Sequence, residues 1–198
     1  YCASSLQAIR MAAHAIKAGE GDVFVAGGVE TVSRFEKGKS DGMPDTKNPR
    51  FADAMARSAE RAEGGVGTWE PREGLPDFYL AMGQTAENVA EYADVSREDM
   101  DLFAKQSQDR AVAAWERGFF TSEITPVTLA DGTVVTKDDC PRPGTQLEKL
   151  ASLKTVFRPD GRVTAGNACP LNDGAAAVVV MSAARAKALG IQPLARIV

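Results

Sequence analysis

Histidine is nearly absent from this chain: His14 is the single one in 198 residues, and the three cysteines, at 2, 140 and 169, form no CxxC pair. Too few Cys and His stand close together to build a structural zinc site, and an odd number of scattered thiols argues against a disulfide framework. No metal is expected, and the reduced thiols suit a cytoplasmic setting. An excess of positive charge is also lacking, because 23 Lys and Arg face 27 Asp and Glu for a net charge of -4. Nucleic acid and anionic membrane are therefore poor partners for the chain as a whole. No apolar run approaches the roughly 20 residues of a membrane span, and no charged start leads into one as in a secretory signal. An initiator methionine is missing and both ends fall within what read as structural elements, so the expectation is a fragment. What is present is 44% hydrophobic residues, in a length that buries a real core as one domain or two small ones.

Leu6, Ile9, Ala13 and Ile16 fall at helical spacing while Gln7, Arg10, His14 and Lys17 repeat it on another face. This predicts an amphipathic helix over 4–18, stopped by Gly19. The apolar run 22–26, ending in Gly27-Gly28, predicts a buried parallel strand. Residues 34–76 are polar and turn-rich around a predicted helix at 51–62. A helix is expected at 82–90, and another behind the capping-box spacing Ser96-Arg97-Glu98-Asp99, running to about 117 with Gly118 as its end. Segments 124–129 and 133–136 around Asp131-Gly132 predict a β-hairpin. Residues 173–181 predict a second buried strand, Ser182 caps a short helix ending at Gly190, and 193–198 predict the start of a further strand. The expected architecture is α/β, with two core strands separated by a polar and mostly helical insertion.

Cys2 falls where a strand end delivers it onto the first helix. A helix N-terminus carries unpaired N–H groups and roughly half a positive charge, both of which favour an anion such as a thiolate. Cysteine attacks as thiolate, and placement of this kind lowers thiol pKa values from about 8.5 toward neutrality or below. Two readings stand here: a nucleophile, or a small apolar cysteine in the core. Ligands of α/β sheets sit outside the carboxyl ends of strands, where the segment leading into Cys2 also ends.

Four stretches stand out in order: Cys2-Ala3-Ser4-Ser5-Leu6-Gln7-Ala8, Ala26-Gly27-Gly28-Val29-Glu30-Thr31, Met82-Gly83-Gln84-Thr85-Ala86-Glu87-Asn88, and Thr164-Ala165-Gly166-Asn167-Ala168 with Asn172-Asp173-Gly174-Ala175-Ala176. Together they resemble the thiolase family of acyl-coenzyme A acyltransferases, and the resemblance runs over essentially the whole chain. The resemblance implies part of a thiolase-like N-terminal βαβ half (1–32 and 166–191), an inserted mostly helical loop domain covering coenzyme A (33–165), and the start of a C-terminal half (192–198). It implies that Cys2 takes the acyl group as its own thioester and passes it to a second substrate, with ping-pong kinetics. The Cys2 N–H would be one donor to the oxyanion. Acyl-CoA and coenzyme A are then substrates, no separate cofactor is needed, and a homo-oligomer, dimer or tetramer, is expected. An association with β-oxidation partners fits the same role.

Residue by residue, the resemblance places Arg142 near the nucleotide end of coenzyme A, Met82 on the pantetheine tunnel and Phe157 beside the same ligand. A solvated arginine and simple packing are the competing readings for these three. Cys169 stands where many family members have a serine that bonds the pantetheine, and a thiol is a weak donor. Ala81 stands where the biosynthetic branch typically has a histidine, which leans toward the degradative branch.

The nucleophile needs a base, and His14 lies twelve residues on, about 18 Å along a helix and beyond the ~3 Å reach of proton transfer. It is expected to be a solvated or subunit-facing histidine. Thiolases take a histidine from Gly-His-Pro, a second cysteine from Cys-x-Gly and an asparagine from Asn-Glu-Ala-Phe, and this sequence contains none of these motifs. The 198 residues alone are thus expected to be inactive. A catalytically silent acyl-CoA binding or assembly protein is the alternative, and a ketosynthase relative is disfavoured by Thr85-Ala86-Glu87-Asn88 and Gly166-Asn167.

Overall fold

The computed structural model describes residues 2–32, 47–74 and 76–198. The first part of the turn-rich segment anticipated from residue 34 therefore lies outside the described residues. Two compact units are present, one formed by 2–32 with Leu171–Val198 and the other by the described residues up to Pro170.

In the first unit, helix α1 (Ser4–Lys17) packs on strands β1 (Val23–Glu30) and β4 (Gly174–Met181). Ala12 meets Ala26 and Val180 at the centre, with Ile9, Ile16 and Phe24 around them. Small residues let the helix lie close to the sheet, and Gly19 in the left-handed region (φ 77°) ends it. Leu6, expected on the buried stripe, is exposed instead. The two strands pair antiparallel, from Val23 opposite Met181 to Glu30 opposite Gly174, which corrects the parallel expectation. A run of small and β-branched residues signals a strand but carries no information about the direction of its partner. Burial is also one-sided: along β1 only the residues facing α1 are covered, while Val23, Val25 and Val29 on the other face are exposed, as is Val179. Ser182 caps helix α6 (Ala183–Ala188), accepting from Arg185 N. The strand expected at 193–198 is not formed, and these residues are exposed.

The second unit holds helix α2 (Ala52–Ala62), entered through a 3-10 turn that Asn48 caps, then α3 (Met82–Tyr92) and α4 (Arg97–Glu116). Ser96 caps α4 by accepting from Asp99 N, but Asp99 bonds the Ser96 hydroxyl at 2.7 Å, one methylene short of a full reciprocal box. Gly118 (φ 73°) ends α4. The hairpin forms from β2 (Val127–Thr128) and β3 (Val134–Val135). Helix α5 (Leu147–Ala151) was not expected, being too short to show a period. Residues 166–170, expected with the last strand, pack in this unit: Asn167 donates to Asp101 Oδ1 at 2.9 Å, and Gly166 abuts Leu150 and Leu153.

Its centre is polar. Glu87, 1% exposed, accepts from the N–H groups of Arg162 and Val163 at 2.8–3.0 Å. Arg158, 4% exposed, donates to Gln84 Oε1 at 2.8 Å and also to Asn88 and Glu91. Arg61 reaches the same Asn88 and Glu91. Arg158, Arg162 and Val163 of the loop 157–164 bond side chains of α3, and Trp69 N–H also reaches Glu91, so the network itself fixes that loop on α3. Among the described residues, no helix is long and apolar enough to cross a membrane.

Candidate active site

Cys2 is exposed and stands two residues before α1, in the left-handed region with φ 50°. The helix N-cap is Ala3, and the first helical bond runs from Gln7 N to Ala3 O at 2.9 Å. The sequence placed Cys2 on the helix start itself. Its actual position is on the preceding turn, next to the positive end of the helix. A non-glycine residue in this region is uncommon and persists where surrounding contacts hold it.

Those contacts come from β1 and β4. Gly28 lies against the backbone of the helix start: a Cβ there would stand 2.3 Å from Ser5 N and 2.5 Å from the Ser4 carbonyl carbon. Only glycine allows this approach. The Ser5 hydroxyl lies within hydrogen-bond distance of Gly28 O at 3.1 Å and Ala176 O at 3.2 Å, tying the turn to both strands. Glu30, at the end of β1, accepts from the Ser4 hydroxyl at 2.6 Å. The Ser4 hydroxyl, followed by the Ser4 and Cys2 backbone N–H groups, holds the Glu30 carboxyl below its usual range. Around this turn opens a cleft of about 360 Å³, bordered by Cys2, Ser4, Gly28, Glu30, Asn172 and Asp173. An accessible thiol at a helix N-terminus, in a cleft with room for a small acyl group, is suited to nucleophilic attack on a carbonyl.

No side-chain base emerges beside it from the sequence's one histidine. His14 is exposed in the last turn of α1, and its carbonyl accepts from Ala18 N at 2.8 Å.

The other four candidates belong to the second unit. Met82 opens α3 and is 77% exposed. Phe157 lies against the next residue: a Cβ on Gly83 would stand 2.1 Å from its ring. Gln84 Nε2 donates to the Phe157 carbonyl at 2.6 Å, and Arg158 holds Gln84 in turn. Met82 and Phe157 are thus brought to one end of α3. Arg142 is exposed on a loop whose backbone N–H donates to Gln108 Oε1 at 2.7 Å, so it is anchored to α4 instead. Cys169 is an exposed free thiol. No described hydrogen bond joins either residue to the Met82–Phe157 pair. Sequence reasoning missed Glu30 and Ser4 as parts of the turn, and Gln84, Glu87 and Arg158 as its counterpart in the second unit. The signal for Glu30 was its spacing two residues after Gly28, on the same strand face.

Comparisons with known proteins extend this geometry. The family model described as Thiolase, N-terminal domain, matches residues 1–184. The chain is 46% identical over 189 residues to the β-ketoadipyl-CoA thiolase of Acinetobacter baylyi, covering 91% of this chain and 44% of that protein. It is 43% identical over 203 residues to the acetyl-CoA acetyltransferase of Pseudomonas aeruginosa, covering 99% and 48%. Among solved structures it is similar to the dimeric peroxisomal thiolase of Saccharomyces cerevisiae, with a TM-score of 0.74, 33% identity and coverage of 96% and 44%. The human mitochondrial 3-ketoacyl-CoA thiolase in complex with CoA gives a TM-score of 0.70 at 32% identity, covering 98% and 46%. The chain spans less than half the length of each of these relatives.

Proposed function

The chain belongs to the thiolase family, and from that membership we propose that the whole protein is an acyl-CoA C-acyltransferase working through an acyl thioester on Cys2. The observation that carries the reading is the exposed Cys2 thiol on a left-handed turn before α1, open to the cleft. In the degradative direction the sulfur attacks the 3-keto carbonyl of a 3-ketoacyl-CoA, and the Cα–Cβ bond breaks. The acyl group stays on Cys2, and the departing acetyl-CoA carbanion takes up a proton. The thiol of a second coenzyme A then attacks the acyl-Cys2 carbonyl, gives up its proton, and leaves with the acyl group as Cys2 is restored. Since His14 stands in the last turn of α1, the base and acid for these proton transfers are proposed to come from the rest of the protein.

In the second unit, Met82 and Phe157 are proposed to line the pantetheine path, Arg142 to meet the nucleotide end, and Cys169 to lie beside the ligand. The close pairing of Phe157 with Gly83 supports the first assignment. A homo-oligomer, a cytoplasmic location and service in fatty-acid or β-ketoadipate breakdown belong to the same reading, the last drawn from the names of relatives.

The test is thiolysis of acetoacetyl-CoA by the protein expressed from its complete gene, with mass spectrometry of the peptide carrying Cys2. An acetyl group on Cys2, and loss of at least about 10³-fold in rate in Cys2→Ala, are expected. Tight binding of acyl-CoA with no turnover and no adduct would instead establish the silent binding protein.

A further inference from the structure

We infer that Glu30 is a positioning residue for Cys2: from the end of β1 it caps helix α1 and, through Ser4, holds the left-handed turn that presents the thiol. This rests on the reading of Cys2 as nucleophile. Helix α1 has no cap of its own, because its N-cap is Ala3, whose side chain offers no acceptor, and its first turn holds no acid. Helices α4 and α6 carry Ser96 and Ser182 for that purpose. At α1 the missing acceptor arrives from another element, with the Ser4 hydroxyl donating to Glu30 Oε1 at 2.6 Å. An anion at this end is also the charge that the helix dipole favours.

The geometry divides the work between two residues of one strand. Gly28 and Glu30 are two apart and so face the same side of β1. Gly28 supplies the room that lets the start of α1 approach the strand. Glu30 supplies the acceptor that fixes how the turn sits once there. Ser5 is already tied to Gly28 and Ala176, which pins the helix side of the turn, and the Ser4–Glu30 bond holds it on the Cys2 side. Cys2 itself, at φ 50°, needs such outside support.

The experiment compares Glu30→Gln, Glu30→Ala, Ser4→Ala and the double Ser4→Ala/Glu30→Ala in the protein expressed from its complete gene. Two rates are read: iodoacetamide alkylation of Cys2, with Cys169 of the same molecule as internal reference, and single-turnover acylation of Cys2 by acetoacetyl-CoA. Glutamine keeps an acceptor for Ser4 and loses the charge, so the Gln and Ala variants differ in the bond alone. Glu30→Ala and Ser4→Ala are each expected to slow Cys2 by about tenfold or more, the scale on which small misplacements act. The KM for acyl-CoA should hold, Glu30→Gln should restore most of the rate, and the double variant should be no slower than the slower single one. Wild-type Cys2 rates in Glu30→Ala, or equal losses in the Gln and Ala variants, would overturn the assignment. Should Glu30→Ala misfold, Ser4→Ala, which deletes one hydroxyl, decides the question. Absence of an acyl group on wild-type Cys2 would refute the nucleophile reading, while the alkylation series still decides positioning.

Discussion

In the first unit the segment around Cys2 is held by bonds at the surface: Ser4 to Glu30, and Ser5 to the ends of β1 and β4. In the second unit the segment around Phe157 is held from beneath, by Gln84, Glu87, Asn88 and Arg158, each no more than 7% exposed. A buried polar network tolerates no missing member, because each orphaned partner bears its full desolvation cost. A surface turn tolerates loss of a bond with little change in stability, and changes its shape instead. One region thus ties function to precision of placement, and the other ties it to folding.

The sharpest way to break that contrast is at Arg158. Arg158→Ala removes the one side chain that meets Gln84, Asn88 and Glu91 together; because Arg61 still reaches Asn88 and Glu91, it is expected to cost about 1–3 kcal/mol in urea unfolding, the scale of buried polar groups left without a partner. Ser4→Ala should leave the unfolding midpoint near wild type. Similar midpoints for the two variants would erase the distinction.

Two glycines sharpen it further, since both sit under close neighbours but of different kinds. Gly28→Ala drives a methyl into the backbone of Ser5, which has no way to give, whereas Gly83→Ala meets the Phe157 ring. Overpacking of this sort costs about 1–3 kcal/mol. Gly28→Ala is expected to lose acyl transfer by about a hundredfold through misplacement of Cys2. Gly83→Ala is expected to raise the KM for coenzyme A with a smaller change in kcat. Steady-state kinetics on the two variants separates them, and equal effects on kcat would count against the division.

The smallest effect expected is on acid stability. The Gly65 N–H, bonded to Asp160 at 2.9 Å, holds that carboxyl below its ordinary value of 3.8. A carboxyl depressed by folding adds stability above its unfolded pKa and loses it as pH falls through the folded value. Asp160→Asn should therefore differ from wild type at pH 6 and begin to converge with it only as pH falls below about 3.8. A difference that persisted to low pH would mean that the carboxylate's charge is not what matters there.

Much of this was legible in the residues. Period, caps and glycine stops located α1 and α4 because each helix is long and bounded by local chemistry: Gly19, Ser96 and Gly118 act on their own neighbours. The direction of β4 was not legible, since pairing across 143 intervening residues (31–173) is a tertiary choice. The burial of Glu87 and Arg158 was hidden for the same reason. A charged residue on a helix face reads as solvated until the loop that covers it is known. At the site, Cys2 and Gly28 stood out by type, whereas Glu30 became meaningful only when the strand register and the start of α1 were seen together.

The bare face of the two-stranded sheet has a consequence for anyone handling these 198 residues. Val23, Val25, Val29 and Val179 lie open on one side, and β1 and β4 each have one neighbour only among the described residues. Unpaired strand edges beside an apolar surface are a template for another copy's backbone. Left by itself in solution, this polypeptide carries its own nucleus for aggregation, and its solubility depends on whatever shields those valines.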